Sequence, residues 1–126
     1  VTLARQGFAP GLHEIEAYGR GGFRFGGLSH VGSILALPSG IHEWPVASAA
    51  DITPDSLRRL AGEAARTDLC FIGMGETIAP LSAETRDFLL AHGLRYEPMA
   101  TATAARTYNV LLREGRRVAA ALVAVA

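Results

Sequence analysis

The chain predicts a three-layer α/β/α fold with a mixed central sheet and a β-rich N-terminal half. Two observations carry that expectation. The first half breaks into short apolar stretches separated by glycine and proline turns, whereas the second half alternates helix-period segments with apolar runs. Two of those runs, Asp68–Gly73 and Val118–Val125, show no polar alternation, which is the pattern of strands covered on both faces.

Taken in order, residues 1–11 read as a loose N-terminal extension to a single domain spanning 1–126. His13–Tyr18 and Phe23–Phe25 flank Gly19-Arg20-Gly21-Gly22, a turn rich in residues that tolerate positive φ, so a hairpin is expected there. Gly26-Gly27 breaks the run. Val31–Leu37 reads as one strand, stopped by Pro38-Ser39-Gly40. Ile41–Val46 reads as another, with Pro45 assigning it to an edge because proline cannot donate to a ladder.

Thr53-Pro54-Asp55 then starts a helix: a hydroxyl cap, a proline at the first helical position and an acid near the positive end of the dipole. Leu57, Leu60, Ala61, Ala64 and Ala65 line one face of it. Ser82 caps a second helix that Gly93 ends, and Arg95–Pro98 is a brief strand. Thr101 is expected to cap a third helix, which Gly115 ends.

Composition excludes several chemistries. The twelve basic residues are all arginine, and twelve acids balance them. Without lysine there is no Walker A loop, no pyridoxal Schiff base and no lysine nucleophile. Zero net charge argues against a nucleic-acid partner. The longest apolar run, Val118–Ala126, is about half of what a membrane span requires, and no secretory leader precedes the fold, so the expectation is a cytoplasmic chain. The lysine-free, arginine- and alanine-rich composition suits a bacterial source with GC-rich coding. Cys70 sits in an apolar strand and reads as a core thiol. The histidines His13, His30, His42 and His92 lack ligand spacing, so no metal and no cofactor are expected, and no catalytic residue is assigned.

Two places invite a functional reading. Gly73-Met74-Gly75-Glu76 follows a buried strand, where ligands collect in open α/β sheets, although the same glycines also make a simple tight turn. On the third helix, Arg106, Asn109, Arg113 and Arg117 recur at helical spacing, with Ala104, Ala105, Tyr108, Leu111 and Leu112 on the core side. An arginine in the first turns of a helix calls for a bound anion or a carboxylate partner such as Glu76 or Glu97. A small-anion or metabolite pocket would therefore gather Gly73, Gly75, Glu76, Arg106, Tyr108 and Asn109. A protein-interaction surface would instead use Trp44, Arg113 and Arg117, with Trp44 either an exposed anchor or core packing.

Three stretches carry a family resemblance: Gly32-Ser33-Ile34-Leu35 to Pro38 with Trp44; Phe71-Ile72-Gly73-Met74-Gly75 with Pro80-Leu81; and Glu97-Pro98-Met99 followed by Ala105-Arg106-Thr107-Tyr108-Asn109 and Glu114–Leu122. In order and spacing the chain resembles a family of small α/β proteins that includes the mitochondrial complex I assembly factor 3 and the adipogenesis-associated domain-containing proteins. The resemblance implies the three-layer fold. For the mitochondrial branch it implies help in assembling respiratory complex I through protein contacts. Met74, Ala100 and Ala105 depart from the family pattern. Ala100 matters most, because the acidic residue usual there would be a partner for Arg106. The expected function is thus a non-catalytic interaction or assembly factor, with the anion or metabolite pocket as the alternative.

Overall fold

The computed structural model describes residues 7–126. In chain order the strands and helices are β1 (Phe8–Pro10), β2 (Ala17–Gly19), β3 (Gly22–Phe25), β4 (Leu28–Val31), β5 (Ser33–Leu37), β6 (Gly40–Trp44), α1 (Arg58–Gly62), β7 (Leu69–Gly73), α2 (Ala83–Ala91), β8 (Tyr96–Met99), α3 (Thr101–Arg113) and β9 (Val118–Leu122). Six strands form one mixed sheet in the order β1-β6-β5-β9-β7-β8, and β2-β3-β4 form a small antiparallel sheet. The first half is strand-rich and the second alternates, as expected.

The connections explain the layering. From β7 through α2 to β8 the chain steps one strand outward; from β8 through α3 to β9 it steps back across β7. Parallel crossovers are right-handed, so opposite directions across the sheet put the two helices on opposite faces. The core divides accordingly. Leu35, Leu37, Cys70, Ile72, Ala119 and Ala121 pack toward α1 and α2, together with Trp44, Leu57, Leu60 and Leu89. The intervening residues Ile34, Ala36, Phe71, Val118, Ala120 and Leu122 pack toward Ala104, Ala105 and Tyr108 of α3 and toward Phe23 and Phe25 of the small sheet. All five residues of β9 are buried, which is the reason that strand reads as an unbroken apolar run. Each fully buried leucine or isoleucine here contributes about 1.5–3 kcal/mol.

Several sequence expectations need correction. Phe8–Pro10 pairs with Gly40–His42, so that part of the supposed loose extension is a strand; residues 1–6 lie outside the described residues. Consequently β6 is interior rather than an edge, and Pro45 falls beyond its end, where no ladder N–H is needed. Gly26 and Gly27, both at positive φ, turn the chain into a second hairpin and do not end the run. Gly32, at φ +104°, splits the expected Val31–Leu37 strand between the two sheets. The helix expected after Thr53 is three short pieces, 3-10 turns at Asp55–Leu57 and Ala64–Arg66 around α1, with Gly62 at the break and Ala65 exposed. Its start is as read: the Thr53 hydroxyl accepts from the Ser56 N–H at 3.2 Å. Likewise Ser82 accepts from the Thr85 N–H at 3.1 Å.

Both edge strands carry a proline whose missing N–H would have pointed outward. In β1 the bonds to β6 run through Gly7 and Gly11, leaving the alternate residues Phe8 and Pro10 facing out. In β8 they run through Arg95 and Met99, leaving Tyr96 and Pro98 facing out. Each edge thereby loses a donor that another strand would need. The Glu97-Pro98-Met99 signature is thus a guarded edge.

Candidate functional site

The carboxyl ends of β7 and β8 are where the chain parts to opposite faces, so a ligand crevice is expected between them. Here that crevice is stitched shut by the protein itself. The Met74 N–H donates to the Met99 carbonyl at 2.8 Å, and the Thr101 N–H to the Gly75 carbonyl at 2.9 Å. The Thr101 hydroxyl accepts from the Gly75 N–H at 3.0 Å and donates to the Val123 carbonyl at 2.7 Å. Thr101 is fully buried and sits inside the first turn, so Ala100 occupies the cap position expected for Thr101. The amides of Met74 and Gly75 are therefore already spent.

Gly73 has a different job. A Cβ there would lie 2.9 Å from Leu122 Cδ2, 3.0 Å from Thr101 Cα and 3.2 Å from Ala104 Cβ. Its absence lets α3 lie directly on β7. Gly75 takes the positive φ of +102° that the turn requires. Beyond that turn a small cleft of about 180 Å³ remains, lined by Tyr18, Gly19, Gly75, Glu76, Ala100, Ala102, Val125 and Ala126. Glu76 is exposed at its rim.

The polar stripe of α3 is engaged with the segment before β2, although Arg106 and Arg113 remain exposed and Arg113 also lines a cleft beside Glu14. Arg106 donates to the Tyr18 hydroxyl at 2.8 Å. Asn109 accepts from the Ile15 N–H at 2.7 Å and donates to the Ile15 carbonyl at 2.9 Å. Arg113 pairs with Glu14 at 3.1 Å. Three successive positions of one helix face thus fasten the extended segment 14–18, which carries the buried Ile15 and leads into β2. Arg117 lies beyond the helix, which ends at Arg113, and pairs with Asp68 at 2.7 Å. That contact holds the Asp68 carboxyl below its ordinary value through its hydrogen bond with Arg117.

Of the six residues expected to share a pocket, Gly75 and Glu76 line the small cleft, and Arg106 reaches its wall through Tyr18. Gly73, Tyr108 and Asn109 do not. Tyr108 is 1% exposed, and burial raises its phenol well above the ordinary range, with the Glu14 carboxylate adding to the rise. The expectation of Trp44 as an exposed anchor is corrected too. It is 2% exposed, and its indole N–H donates to the Ser56 carbonyl at 2.7 Å, tying β6 to the turn before α1. Cys70 is buried as read, with burial pushing its thiol up to about 12.

Residues that sequence reasoning passed over include Thr101 as a stitch, Tyr18, and a polar network at the β5–β6 turn. There Glu63 accepts from the Ser39 N–H at 2.8 Å, from the Ser39 hydroxyl and from Arg66 at 2.8 Å. Ser39 Oγ lies 3.0 Å from His42 Nε2. This is not a nucleophile–base pair: the serine hydrogen is directed at the carboxylate, so the imidazole is the donor to Oγ. His42 stacks against Phe8 at 4.4 Å between ring centres. Its pKa is lowered by desolvation first and by the Arg59 cation second, against an opposing contribution from Glu63. A cleft of about 590 Å³ runs along Trp44 and Pro45 between β6 and Asp55–Arg59. Among the described residues no helix is long and apolar enough to cross a membrane.

This architecture, a mixed sheet with crossovers on opposite faces and a hairpin sheet strapped to the third helix, defines a class of small α/β proteins. Residues 15–123 match the family described as protein of unknown function (DUF498/DUF598), and the chain belongs to that family. It is 45% identical over 117 residues to an uncharacterised protein of Rhodobacter capsulatus, covering 93% of this chain and 88% of that one. It is 33% identical over 109 residues to NADH dehydrogenase [ubiquinone] 1 alpha subcomplex assembly factor 3 of Xenopus tropicalis, covering 86% of this chain but only 60% of that protein's length. Its fold is similar to the crystal structure of an outer membrane protein from Bartonella henselae, with a TM-score of 0.89, 40% identity, and 93% and 98% of the two chains covered. The resemblance to the assembly factor 3 family is borne out.

Proposed function

We propose that this chain is a non-catalytic protein-interaction factor that assists the assembly of a respiratory complex. The observation that carries the reading is kinship: 33% identity, across 86% of the chain, to a protein named as a complex I assembly factor. The internal contacts support it. The groups from which a reaction centre would be built are committed elsewhere: the Gly75 amide to Thr101, Asn109 to Ile15, and the Tyr108 and Cys70 side chains to the core. With Trp44 in the core, the surface left to this reading is the arginine side that includes Arg113 and Arg117.

The alternative, a small-anion or metabolite site facing Arg106, retains one favourable observation. Tyr18, Gly75 and Glu76 do meet at one cleft beside that guanidinium. At about 180 Å³ it is smaller than the 300–1,000 Å³ usual for ligand pockets.

The test is deletion of the gene in its source organism, with assembled respiratory complex read on native gels. Complementation by the wild-type chain and by an Arg106→Ala chain follows. Reduced assembly restored by both chains supports the interaction reading without the cleft. Unchanged assembly overturns the reading, and a small molecule co-purifying with wild type but not with Arg106→Ala would install the alternative.

A further inference from the structure

We propose that the amino-terminal end of the parallel strands is a docking surface for clustered carboxylates on a partner protein; this rests on the interaction-factor reading above. Strand β7 lies between β9 and β8, so the segments entering these strands, 66–68, 93–95 and 113–117, stand side by side. Backbone bonds fix their register: the Asp68 N–H donates to the Arg117 carbonyl at 2.8 Å, and the Cys70 N–H to the Arg95 carbonyl at 2.9 Å. These three segments carry five arginines, Arg66, Arg95, Arg113, Arg116 and Arg117, against only Asp68 and Glu114, in a chain whose charges balance overall. All five arginines are exposed.

Internal pairing does not use them up. Arg66 meets Glu63, Arg113 meets Glu14 and Arg117 meets Asp68, which leaves Arg95 and Arg116 without an ion-pair partner among the described residues. A cation near a helix C-terminus gains from the dipole. That accounts for one such residue at each helix end, not for five on three neighbouring segments.

The backbone beneath the two free arginines is rigid. Gly93 and Gly115 both take positive φ. After α2, the Gly93 and Leu94 amides bond back to Leu90 and Leu89; after α3, the Gly115 and Arg116 amides bond back to Leu112 and Leu111, each at 3.0 Å. Both helices thus close in the same double-bonded cap; Arg95 follows the cap of α2, and Arg116 supplies the second amide of the cap of α3. Only side-chain rotamers remain to be ordered on binding, which keeps its entropic cost low.

Planar guanidinium groups match carboxylates two bonds at a time, and arginine is enriched in protein interfaces. Asp68 and Glu114 stand among the arginines and would repel a continuous array of phosphates. Discrete carboxylates placed between those acids are the better fit, so the occupant is an acidic protein surface rather than a nucleic acid or an anionic membrane.

The test follows amide chemical shifts of the labelled protein as poly-L-glutamate is added. It compares wild type with the double variant Arg95→Glu/Arg116→Glu, and with Arg20→Glu at the opposite end of the sheet as control. Expected are perturbations centred on 66–68, 93–95 and 113–117, at least tenfold weaker binding by the double variant, an unaltered control, and weakening as salt rises toward about 0.2 M. Shifts centred elsewhere, equal binding by the double variant, or binding only to vesicles rich in anionic lipid would overturn the proposal. Capture from native extract separates the two ideas. If the double variant still captures the wild type's protein partner, the rim is refuted while the interaction reading stands. If neither chain affects complex assembly, the interaction reading falls, and the shift map alone decides the rim.

Discussion

The two ends of the parallel strands are built on opposite principles. At the carboxyl end, Thr101 is fully buried and joins three backbone segments with one hydroxyl and one amide. At the amino end, arginines meet acids in ion pairs whose arginine side chains keep more than half of their exposure, as in Arg117 with Asp68 at 58% and 52%. In an α/β sheet the carboxyl end is the customary place for a ligand. Here it has been converted to structure, and the exposed, exchangeable charges lie at the other end. Position in a fold therefore raises an expectation of function, and the local hydrogen-bond accounting decides it.

The sharpest way to break this contrast is Thr101→Val. It keeps the shape but leaves the Gly75 N–H and the Val123 carbonyl unpaired in the core, a loss of about 2–4 kcal/mol in urea unfolding. Thr101→Ser, which keeps the hydroxyl, should recover most of it. If Thr101→Val unfolds within about 0.5 kcal/mol of wild type, the stitch is dispensable and the crevice is open to a ligand after all.

Next in size is Asn109→Ala, which removes both bonds to Ile15 and should cost about 1–2 kcal/mol. Hydrogen exchange at the Ile15 amide should rise well beyond that of β9. Equal protection in both chains would mean the seam is held by apolar packing alone.

The third effect is pH-dependent and lies beside the β5–β6 turn, where His42 meets Ser39. The folded His42 is held below its ordinary 6.5, chiefly by desolvation, so the unfolded chain binds the proton more readily. Stability should therefore fall modestly as pH drops below about 6.5, and His42→Gln should flatten that slope. An unaltered slope in the variant would assign the pH dependence to other groups.

Smallest is Arg117→Gln. Exposed pairs contribute little and are screened by salt, so its urea midpoint should match wild type at moderate ionic strength. A clear destabilisation would make the amino end as structural as the carboxyl end.

Much of this fold was legible in the sequence because local rules agreed with the global one. The unbroken apolar runs Asp68–Gly73 and Val118–Val125 hold the doubly covered strands Leu69–Gly73 and Val118–Leu122, the second ending three residues short of the run, and Ser82, Gly93 and Gly115 did bound helices. The segment after Thr53 was less legible, since its apolar spacing promised a longer helix than the chain sustains past Gly62. The Arg106–Asn109 cluster was visible as unusual, but its meaning was not. Its partners Tyr18, Ile15 and Glu14 stand some ninety residues away, and no periodicity connects them.

By itself, then, the sequence determined the fold class, the two buried strands, the Ser82 start of α2, the glycine ends of α2 and α3 and the family, because each rests on a pattern within a few turns of chain. It also ruled out lysine chemistry outright. Only the tertiary structure decided that Phe8–Pro10 takes the sheet edge in place of β6, that Trp44 is core, and that Thr101 closes the crevice. It also decided that the polar face of α3 is a fastening for the N-terminal segment. The physical reason is common to all four. Whether a polar or aromatic side chain is spent on structure or left for a partner depends on which distant backbone groups arrive beside it, and that is fixed only when the sheet order is.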